Sequence, residues 1–455
     1  MSRHIYRLVE SFLDKKPQIH FIGIGGTGMS ALAGICLSYG YTVTGSDIAQ
    51  SENIEQLVKL GAKVYFSHSE KNVEGSDIVV FSSAIRPDNV ELVAAVRGGR
   101  CVLERHKFLG ALFNCFEESI AVAGSHGKTT ACGMLSYILL EAGRDPQILI
   151  GGNLALIGGN FRKGRGCCLA EACEYRRNFL ALKPLVPVIL NVEKDHMDYF
   201  KDEEDLVDAY LSFAKNGRGT CVVNGDDSNC IKIIPHVKCA TFGFGKGNDC
   251  YPKEIRGSKG RYSFTLCHGE RQLKISLSVN GRHNIYNAMA AYLAASLLGI
   301  EGDVIASALS KYKGIGRRFE NVGKAGGIPI ICDYAHHPKE IKAVIDAARE
   351  TFGKNVIAVF QPHTYTRTKA LMEEFEGCFG GAAAVLLLPV YAAREEYDAG
   401  GSSIALYERL SRRHPNAYYL DNFHQASLLI RRMRGSCVLL LGAGDIFKLA
   451  ELTAD

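Results

Sequence analysis

The residues with the clearest chemistry form a short glycine-rich string, Gly124-Ser125-His126-Gly127-Lys128-Thr129-Thr130. An apolar run over residues 120–122 precedes it, and a helix-like apolar run over residues 134–140 follows it. Such a turn cradles nucleotide phosphates, because backbone N–H groups and the helix N-terminus face the anion. Lys128 adds a charge, and Thr129 can reach Mg²⁺. A turn without a ligand would not need this lysine–hydroxyl pair, so the string predicts a phosphate site.

The spacing of this loop is unusual. The common phosphate loop has four residues between its first glycine and the Gly-Lys pair. Here only Ser125 and His126 intervene. The shorter loop narrows the classes of nucleotide-binding protein to which the chain can belong.

The first glycine cluster of the chain, Gly23-Ile24-Gly25-Gly26-Thr27-Gly28-Met29-Ser30, follows a strand-like run and opens an apolar helix. Asp47 comes near the end of the next predicted strand. Glycines at this spacing let backbone approach a diphosphate, and the acid can bind a ribose hydroxyl. The cluster alone leaves three interpretations open: an NAD site, a site for another diphosphate, or a tight strand–helix turn.

Acidic and histidine side chains follow two further predicted strands of the same region. Glu171 and Glu174 come after one strand, and Asp195 and His196 come after the other. Open α/β sheets bind ligands at these strand ends, where a carboxylate can hold Mg²⁺. The alternatives are a surface acid for Glu174, turn roles for Asp195 and Asp198, and a core position for His196.

Two polar clusters follow successive predicted strands nearer the C-terminus. They are Asp333 to Pro338, with His336, and Gln361 to Arg367. Polar residues that follow neighbouring strand ends can line one crevice. An arginine there can bind a carboxylate through two parallel hydrogen bonds. Loop backbone roles, with Pro338 and Pro362 as turn residues, are the alternative. Gly316–Glu320 offers cations for phosphate or is a basic linker.

Composition bounds the class of protein. The 455 residues are 47% hydrophobic and 22% charged, and a net charge of +5 does not suggest nucleic acid. Fifteen cysteines lie scattered without a CxxC pair, which favours reduced, buried thiols. No apolar run is long enough for a bilayer, and Met1–Tyr6 lacks signal-peptide character, so we expect a cytoplasmic protein without membrane insertion.

Strand-like runs alternate with helix-length segments, which predicts an α/β fold with parallel sheets. The chain divides into three predicted domains, residues 1–117, 118–316 and 317–455. Runs at residues 261–266 and 272–277, joined by a turn at His268-Gly269, predict an antiparallel insertion.

Taken together, these strings resemble the Mur ligases, and the short phosphate loop is itself a trait of that family. The resemblance spans essentially the whole chain in family order. The strings that carry it are His20–Ser30, Gly124–Thr130, Glu171–Arg176, Asp195–Asp198, Gly281–Ala288, Gly316–Glu320, Asp333–Pro338 and His363–Arg367.

The resemblance implies three domains with assigned ligands. The N-terminal Rossmann-like domain would bind a UDP-sugar through Gly23, Gly25, Gly26, Gly28, Met29, Ser30, Asp47, Ser83 and Arg86. The central P-loop ATPase-like domain would bind ATP through Gly124, Ser125, His126, Gly127, Lys128, Thr129, Thr130, Asn284 and Asn287. Thr129 and Glu171 would hold one Mg²⁺, and His196 a second. The C-terminal Rossmann-like domain would add Arg318 and Asp333 for the nucleotide, His336 near the transferred phosphate, and Arg367 for an amino-acid carboxylate.

The implied reaction joins L-alanine to the lactyl carboxylate of UDP-N-acetylmuramate through an acyl phosphate made with ATP. Lys128, His196, His336 and Arg367 are the catalytic candidates, with His196 or His336 as the base. Closure is expected to bring the domains together, in a monomer or weak homodimer. The chain departs from many relatives at Cys173-Glu174-Tyr175, and Lys215 is not assigned as a carbamylated lysine.

Three rivals remain at the level of sequence. The nearest is a recycling ligase that attaches a preformed tripeptide to the same UDP-sugar. An NAD-dependent oxidoreductase would use the first glycine cluster, and a scaffold would keep the fold without catalysis. The central phosphate loop argues against the oxidoreductase.

Overall fold

The computed structural model describes residues 16–197 and 199–454. The expectations for Met1–Tyr6 and for Asp198 therefore lie outside the described residues. The chain forms two compact units. The first contains the described residues up to Tyr251 together with Ala288–Ala308, and the second contains Pro252–Asn287 and Leu309 onward.

The first unit begins with a parallel five-stranded sheet, ordered β3-β2-β1-β4-β5. Its strands are β1 (Gln18–Ile22), β2 (Thr42–Ser46), β3 (Lys63–Tyr65), β4 (Ile78–Phe81) and β5 (Cys101–Glu104). Its helices are α1 (Thr27–Ser38), α2 (Glu52–Lys59), α3 (Val90–Arg97) and α4 (Arg105–Phe113). The strand order reverses between β1 and β4, and such a switch point opens a ligand crevice at the carboxyl ends of the strands.

A second sheet of the first unit carries the phosphate loop. Its strands are β6 (Ser119–Ala123), β7 (Pro146–Leu154), β8 (Gly159–Arg162), β9 (Cys167–Glu171), β10 (Val186–Ile189), β11 (Cys221–Asn224) and β12 (Cys239–Phe242). They are ordered β12-β11-β10-β6-β9-β7-β8, and only the β7–β8 pair among them is antiparallel. The helices are α5 (Lys128–Glu141), α6 (Glu203–Asn216) and α7 (Ser228–Ile231).

Side chains fasten these two sheets into one unit. The Arg218 guanidinium donates to the carbonyls of Phe116 and Glu117 at 2.8 and 2.7 Å, in the segment that links the sheets. The buried Asn160 amide donates to the Thr27 carbonyl at 3.0 Å, at the start of α1. The central sheet therefore holds the first glycine cluster directly.

The chain passes to the second unit within β13 (Cys250–Ser258) and crosses the boundary again within α8 (Asn284–Leu297) and α9 (Gly302–Lys311). The second unit contains the antiparallel hairpin of β14 (Arg261–His268) and β15 (Arg271–Asn280), which confirms the predicted insertion.

The main sheet of the second unit is ordered β16-β17-β21-β18-β19-β20 and is parallel except for β16–β17. Its strands are β16 (Glu320–Ala325), β17 (Ile328–Asp333), β18 (Val356–Phe360), β19 (Ala384–Leu387), β20 (Ala417–Tyr419) and β21 (Cys437–Leu441). The helices are α10 (Pro338–Phe352), α11 (Tyr365–Ala370), α12 (Met372–Cys378), α13 (Ser403–Leu410), α14 (Phe423–Ile430) and α15 (Lys448–Thr453).

Several sequence predictions are confirmed at this level. The strand predicted before the first glycine cluster is β1, and the apolar run predicted before the phosphate loop is β6. Every residue of β18 and β21 is buried, which is why these strands read as continuous apolar runs. All fifteen cysteines are free and most are buried. Among the described residues, no helix combines the length and apolar character that a membrane crossing requires.

Candidate functional site

The phosphate loop adopts the predicted strand–loop–helix geometry. β6 is fully buried, and α5 begins at Lys128 with Gly127 as its N-cap. Gly127 has φ +84° and Gly124 has φ +147°, where L side chains are strained. A Cβ on Gly124 would also lie 3.0 Å from the Cβ of Leu190. Both glycines are therefore required by the loop itself.

The segment after β10 supports the loop from the neighbouring strand. The His126 amide donates to Asn191 Oδ1 at 2.8 Å, and the Glu193 amide donates to Ser125 Oγ at 2.9 Å. The His126 ring lies 3.1 Å from the Glu193 carboxylate. Asn191 and Glu193 thus position Ser125 and His126, the two residues between Gly124 and the Gly127-Lys128 pair.

Lys128 forms an ion pair with the buried carboxylate of Glu174. Its Nζ lies 3.0 and 3.2 Å from the Glu174 carboxylate oxygens and also donates to the carbonyls of Gly124 and Ser125. Glu174 is 2% exposed, so its interpretation as a surface acid was wrong. Burial opposes the charge on Lys128, but Glu174 outweighs burial and raises the pKa of Lys128. The lysine therefore stays protonated.

Glu174 also faces Asp195 and His196. The His196 Nε2 lies 3.9 Å from Glu174 Oε1 and 3.7 Å from Asp195 Oδ2, and one donor atom from each residue lies within 4.8 Å of the others. His196 has φ +56°, and its ring lies 4.8 Å from that of Tyr175. Two carboxylates and an imidazole at this spacing can hold a divalent cation.

The predicted metal set and the observed cluster share only His196. The Glu171 carboxylate accepts a hydrogen bond from the Gly151 amide at 2.5 Å, and Thr129 is buried at the start of α5. Their metal roles stay predictions. The sequence offered Glu174 as a strand-end carboxylate that could hold Mg²⁺, but neither Glu174 nor Asp195 was in the metal set that the resemblance implied. Their placement after β9 and β10 was the signal that pointed to them.

The first glycine cluster lies at the carboxyl end of β1, as predicted. The amides of Gly23 and Ile24 donate to the Ser46 carbonyl at 2.8 and 3.0 Å. Asp47 follows β2 directly, and its carboxylate accepts from the amides of Gly25 at 2.9 Å and Ile48 at 2.8 Å. Asp47 therefore shapes the loop, and its contact with a ribose stays a prediction.

The other residues predicted for the UDP-sugar divide into two kinds. Met29 and Ser30 are buried within α1, and their amides donate to the Gly26 carbonyl. Ser83 and Arg86 are exposed on the loop after β4, where Arg86 pairs with Asp88 at 3.2 Å. The loop after β4 lies beside Gly23, because a Cβ there would contact Ile85 at 3.5 Å. All four binding roles stay predictions.

A buried carboxylate, Glu91, is linked through Ser46 to the first glycine cluster. Glu91 is fully buried and accepts hydrogen bonds from Ser46 at 2.5 Å, Asn72 at 2.5 Å and His68 at 2.9 Å, with His20 at 3.8 Å. Burial works against ionisation, but these donors outweigh it and lower the pKa of Glu91 to about 2. Ser46 joins this network to the glycine cluster.

We predict an acid-sensitive contribution from Glu91. Its pKa is lowered on folding from 4.5 to about 2, so its stabilisation is present above pH 4.5 and is lost as pH falls toward 2. The loss is about 3 kcal/mol of unfolding free energy. Denaturant unfolding of wild type and Glu91→Gln across this range checks it. Identical pH slopes for the two proteins would contradict the assignment.

In the second unit, Asp333 and Arg318 lie around Glu340. Asp333 accepts from the amides of Phe319 and Ala335, each at 2.8 Å, and burial raises its pKa to about 6 although the Arg318 charge opposes this. The Arg318 guanidinium lies 3.8 Å from the Glu340 carboxylate. The two predicted nucleotide contacts are thus near neighbours of one acid.

His336 and Arg367 are brought together by a histidine that sequence reasoning left unassigned. His336 Nδ1 lies 3.0 Å from the Tyr334 carbonyl, and its ring lies 6.1 Å from that of His363. His363 Nδ1 lies 3.2 Å from Arg367 Nη1, and its ring stacks on Tyr391 at 5.6 Å. The structure therefore assembles one basic cluster from the two predicted loops.

Asn284 and Asn287 lie on the first turn of α8. Both are buried, and Asn287 Nδ2 donates to Asn284 Oδ1 at 3.0 Å. The adenine contacts of the two asparagines stay predictions.

The fold and site together define a class of protein. A Rossmann-like sheet with a glycine cluster, a central sheet with a Gly-Lys-Thr phosphate loop and a third α/β sheet are the parts of a multidomain nucleotide-binding protein. Comparison with known families agrees. Residues 18–117 match the Mur ligase family catalytic domain, 122–295 the Mur ligase middle domain, and 317–444 the Mur ligase glutamate ligase domain.

Curated relatives match along the whole chain. The UDP-N-acetylmuramate–L-alanine ligase of Clostridium novyi (strain NT) is 40% identical over 446 residues, covering 96% of this chain and 97% of the relative. The enzyme of that name from Acetivibrio thermocellus is 41% identical over 454 residues, covering 97% of each. This chain belongs to the Mur ligase family, which is ATP-dependent and has a three-domain α/β fold.

Solved structures agree with this assignment. The UDP-N-acetylmuramate–alanine ligase MurC of Thermotoga maritima has a TM-score of 0.83 and 28% identity, covering 96% of this chain and 98% of that one. A murein peptide ligase from Psychrobacter arcticus has a TM-score of 0.73 and 22% identity over the same shares, which shows the shared fold alone. The boundaries 117/118 and 316/317 stay predictions.

Proposed function

We propose that this chain uses ATP to join L-alanine to the lactyl carboxylate of UDP-N-acetylmuramate, the first peptide step in making the peptidoglycan precursor. The observation that carries the proposal is the match of 40% identity over 96% of the chain to relatives named for this reaction. The phosphate loop with Lys128 supplies the nucleotide chemistry. We propose the cytoplasm as its location, and a monomer or weak homodimer as its state.

The reaction needs an activated carboxylate, because a free carboxylate is a poor acyl donor. The lactyl carboxylate attacks the γ-phosphate of ATP and becomes an acyl phosphate with release of ADP. Catalysis of this transfer rests on position and on charge opposite the phosphoryl oxygens. Lys128 supplies a permanent positive charge at the start of α5, since its pKa is raised by Glu174.

The residues around Lys128 fit a divalent cation. Glu174 and Asp195 offer carboxylate oxygens, which Mg²⁺ prefers, and His196 offers a nitrogen beside them. We propose that this cluster holds one Mg²⁺, and that Thr129 and Glu171 hold another. A bound Mg²⁺ would offset charge on the nucleotide phosphates.

The second half of the reaction needs the amine of L-alanine. It attacks the acyl carbon, and the tetrahedral intermediate collapses to the amide with release of phosphate. We propose that Arg367, oriented by His363, binds the alanine carboxylate through its guanidinium. His196 and His336 are the two candidates for the base that accepts the amine proton.

Closure is part of this proposal. The chemistry requires the groups that bind ATP, the UDP-sugar and alanine to act on the same atoms. We expect substrate binding to bring them together and to exclude water from the acyl phosphate, which would otherwise hydrolyse.

The decisive experiment measures phosphate release by the purified protein with UDP-N-acetylmuramate, ATP and one acceptor at a time. L-alanine is expected to support turnover at least about 10-fold faster than L-serine or glycine, because one pocket group discriminates by about 1–3 kcal/mol. The preformed tripeptide should give no product. Incorporation of tripeptide without L-alanine would establish the recycling reaction instead, and NAD binding without ATP dependence would favour an oxidoreductase.

A further inference from the structure

Arg105 lies against the first glycine cluster, although no sequence motif singled it out. It is the first residue of α4, which follows β5 at the carboxyl edge of the five-stranded sheet. A Cβ on Gly28 would lie 3.0 Å from Arg105 Nη1 and 3.4 Å from its Cζ. Glycine at position 28 thus leaves room for the guanidinium beside the loop.

The guanidinium has no protein acceptor within residues 16–197 and 199–454. Its sequence neighbour Glu104 is directed elsewhere, 3.1 Å from His106 and 4.0 Å from Lys107. Arg105 is half-buried, so its five N–H donors are not all in open water. A half-buried guanidinium without a protein acceptor is suited to an anion from outside the chain.

The position of Arg105 favours an anion for a second, independent reason. α1 is twelve residues long, and its N-cap Gly26 makes no side-chain cap hydrogen bond. The first amides of such a helix and its dipole attract negative charge. Arg105 therefore adds a full positive charge at a helix N-terminus that already favours anions.

Arg105 also reaches toward the phosphate-loop side of the first unit. Burial and Glu174 raise the pKa of the Cys173 thiol, while the charges of Lys128 and Arg105 lower it. Arg105 is therefore close enough to the residue before Glu174 for its charge to be felt there. Arg105 thus lies beside Gly28 of the first glycine cluster and near Cys173, the residue before Glu174.

We propose that Arg105 binds an anionic group of the UDP-sugar, either the diphosphate or the lactyl carboxylate, and holds that substrate between the two glycine loops. This inference rests on the proposed function, because it takes its ligand from that reaction. Both groups offer paired oxygens to a guanidinium, so one chemistry serves either source.

The test compares wild type with two variants. Arg105→Gln removes the charge, and Arg105→Lys keeps the charge but loses the paired N–H donors of the guanidinium. Arg97→Gln is the matched control, because Arg97 is an exposed arginine at the end of α3. Calorimetry measures affinity for UDP, UDP-N-acetylglucosamine and UDP-N-acetylmuramate, and steady-state assays measure KM for the UDP-sugar and for ATP.

Arg105→Gln is expected to weaken UDP-N-acetylmuramate binding about 10- to 100-fold, with KM for ATP and the melting temperature unchanged. The affinity of Arg105→Lys for UDP-N-acetylmuramate should lie between those of wild type and Arg105→Gln, and the affinity of Arg97→Gln should equal that of wild type. An equal loss for UDP assigns the diphosphate. A loss confined to UDP-N-acetylmuramate assigns the carboxylate, since UDP-N-acetylglucosamine lacks the lactyl group.

Unchanged affinity for all three ligands in Arg105→Gln overturns the inference while wild-type turnover still supports the proposed function. A wild-type protein that binds no UDP-sugar overturns both. The two failures are therefore distinguishable in one set of measurements.

Discussion

Lys128→Met is expected to lower the rate of phosphate release and ligation by at least about 10³-fold, because it removes the charge that we propose faces the transferring phosphate. The readout is kcat for ATP-dependent phosphate release with UDP-N-acetylmuramate and L-alanine. Ligation at the wild-type rate would contradict the mechanism, and a non-catalytic scaffold would show no difference between the two proteins.

The same substitution is expected to destabilise the first unit. Glu174 is 2% exposed, and methionine leaves its carboxylate buried without the Lys128 ammonium. Removing one partner of a buried pair costs about 3–5 kcal/mol. The control is the double variant Lys128→Met/Glu174→Gln, which removes both charges. It should recover most of the unfolding free energy but none of the activity, which separates the catalytic loss from the structural one.

Glu174→Gln is expected to have the second-largest effect. We expect kcat to fall about 10²- to 10³-fold and the Mg²⁺ concentration needed for half-maximal rate to rise, because the amide keeps the shape but loses the anionic oxygen. It also removes the charge that keeps Lys128 protonated, so the pKa of Lys128 should fall as burial becomes dominant. The measurement is the Mg²⁺ dependence of phosphate release.

The matched control for this variant is Glu204→Gln, which neutralises an exposed carboxylate in the first turn of α6. It should leave the rate and its Mg²⁺ dependence at wild-type values. An unaltered Mg²⁺ dependence in Glu174→Gln would remove Glu174 from the proposed cation site and leave Glu171 as the carboxylate to test next.

The two glycine loops were predictable because each depends on residues adjacent in the chain. β1 and β6 are apolar runs, and the glycines after them stand where the backbone turns. Gly124 and Gly127 take positive φ values that other residues tolerate poorly. The hairpin of β14 and β15 was predictable for the same reason, since its turn lies between the two paired runs.

The role of Glu174 could not be predicted, because burial is not a property of a residue's immediate neighbours. In the sequence, Glu174 follows a strand end, and that position is as typical of a surface acid as of a ligand-binding carboxylate. Only the fold brings it to Lys128, 46 positions earlier in the chain, and to Asp195 and His196 after the next strand. A charge is retained at such a place only when a partner offsets its desolvation.

The sequence by itself determined the class of α/β fold, the position of the phosphate loop and the family, because these reside in contiguous strings whose spacing is a local property. The tertiary structure decided which side chains share a site. It pairs Glu174 with Lys128, places His363 against Arg367, and places Arg105 beside Gly28. These pairs are set by strand order and by how the sheets of each unit pack. Electrostatic partnership depends on distance and burial, and both exist only once the chain has folded.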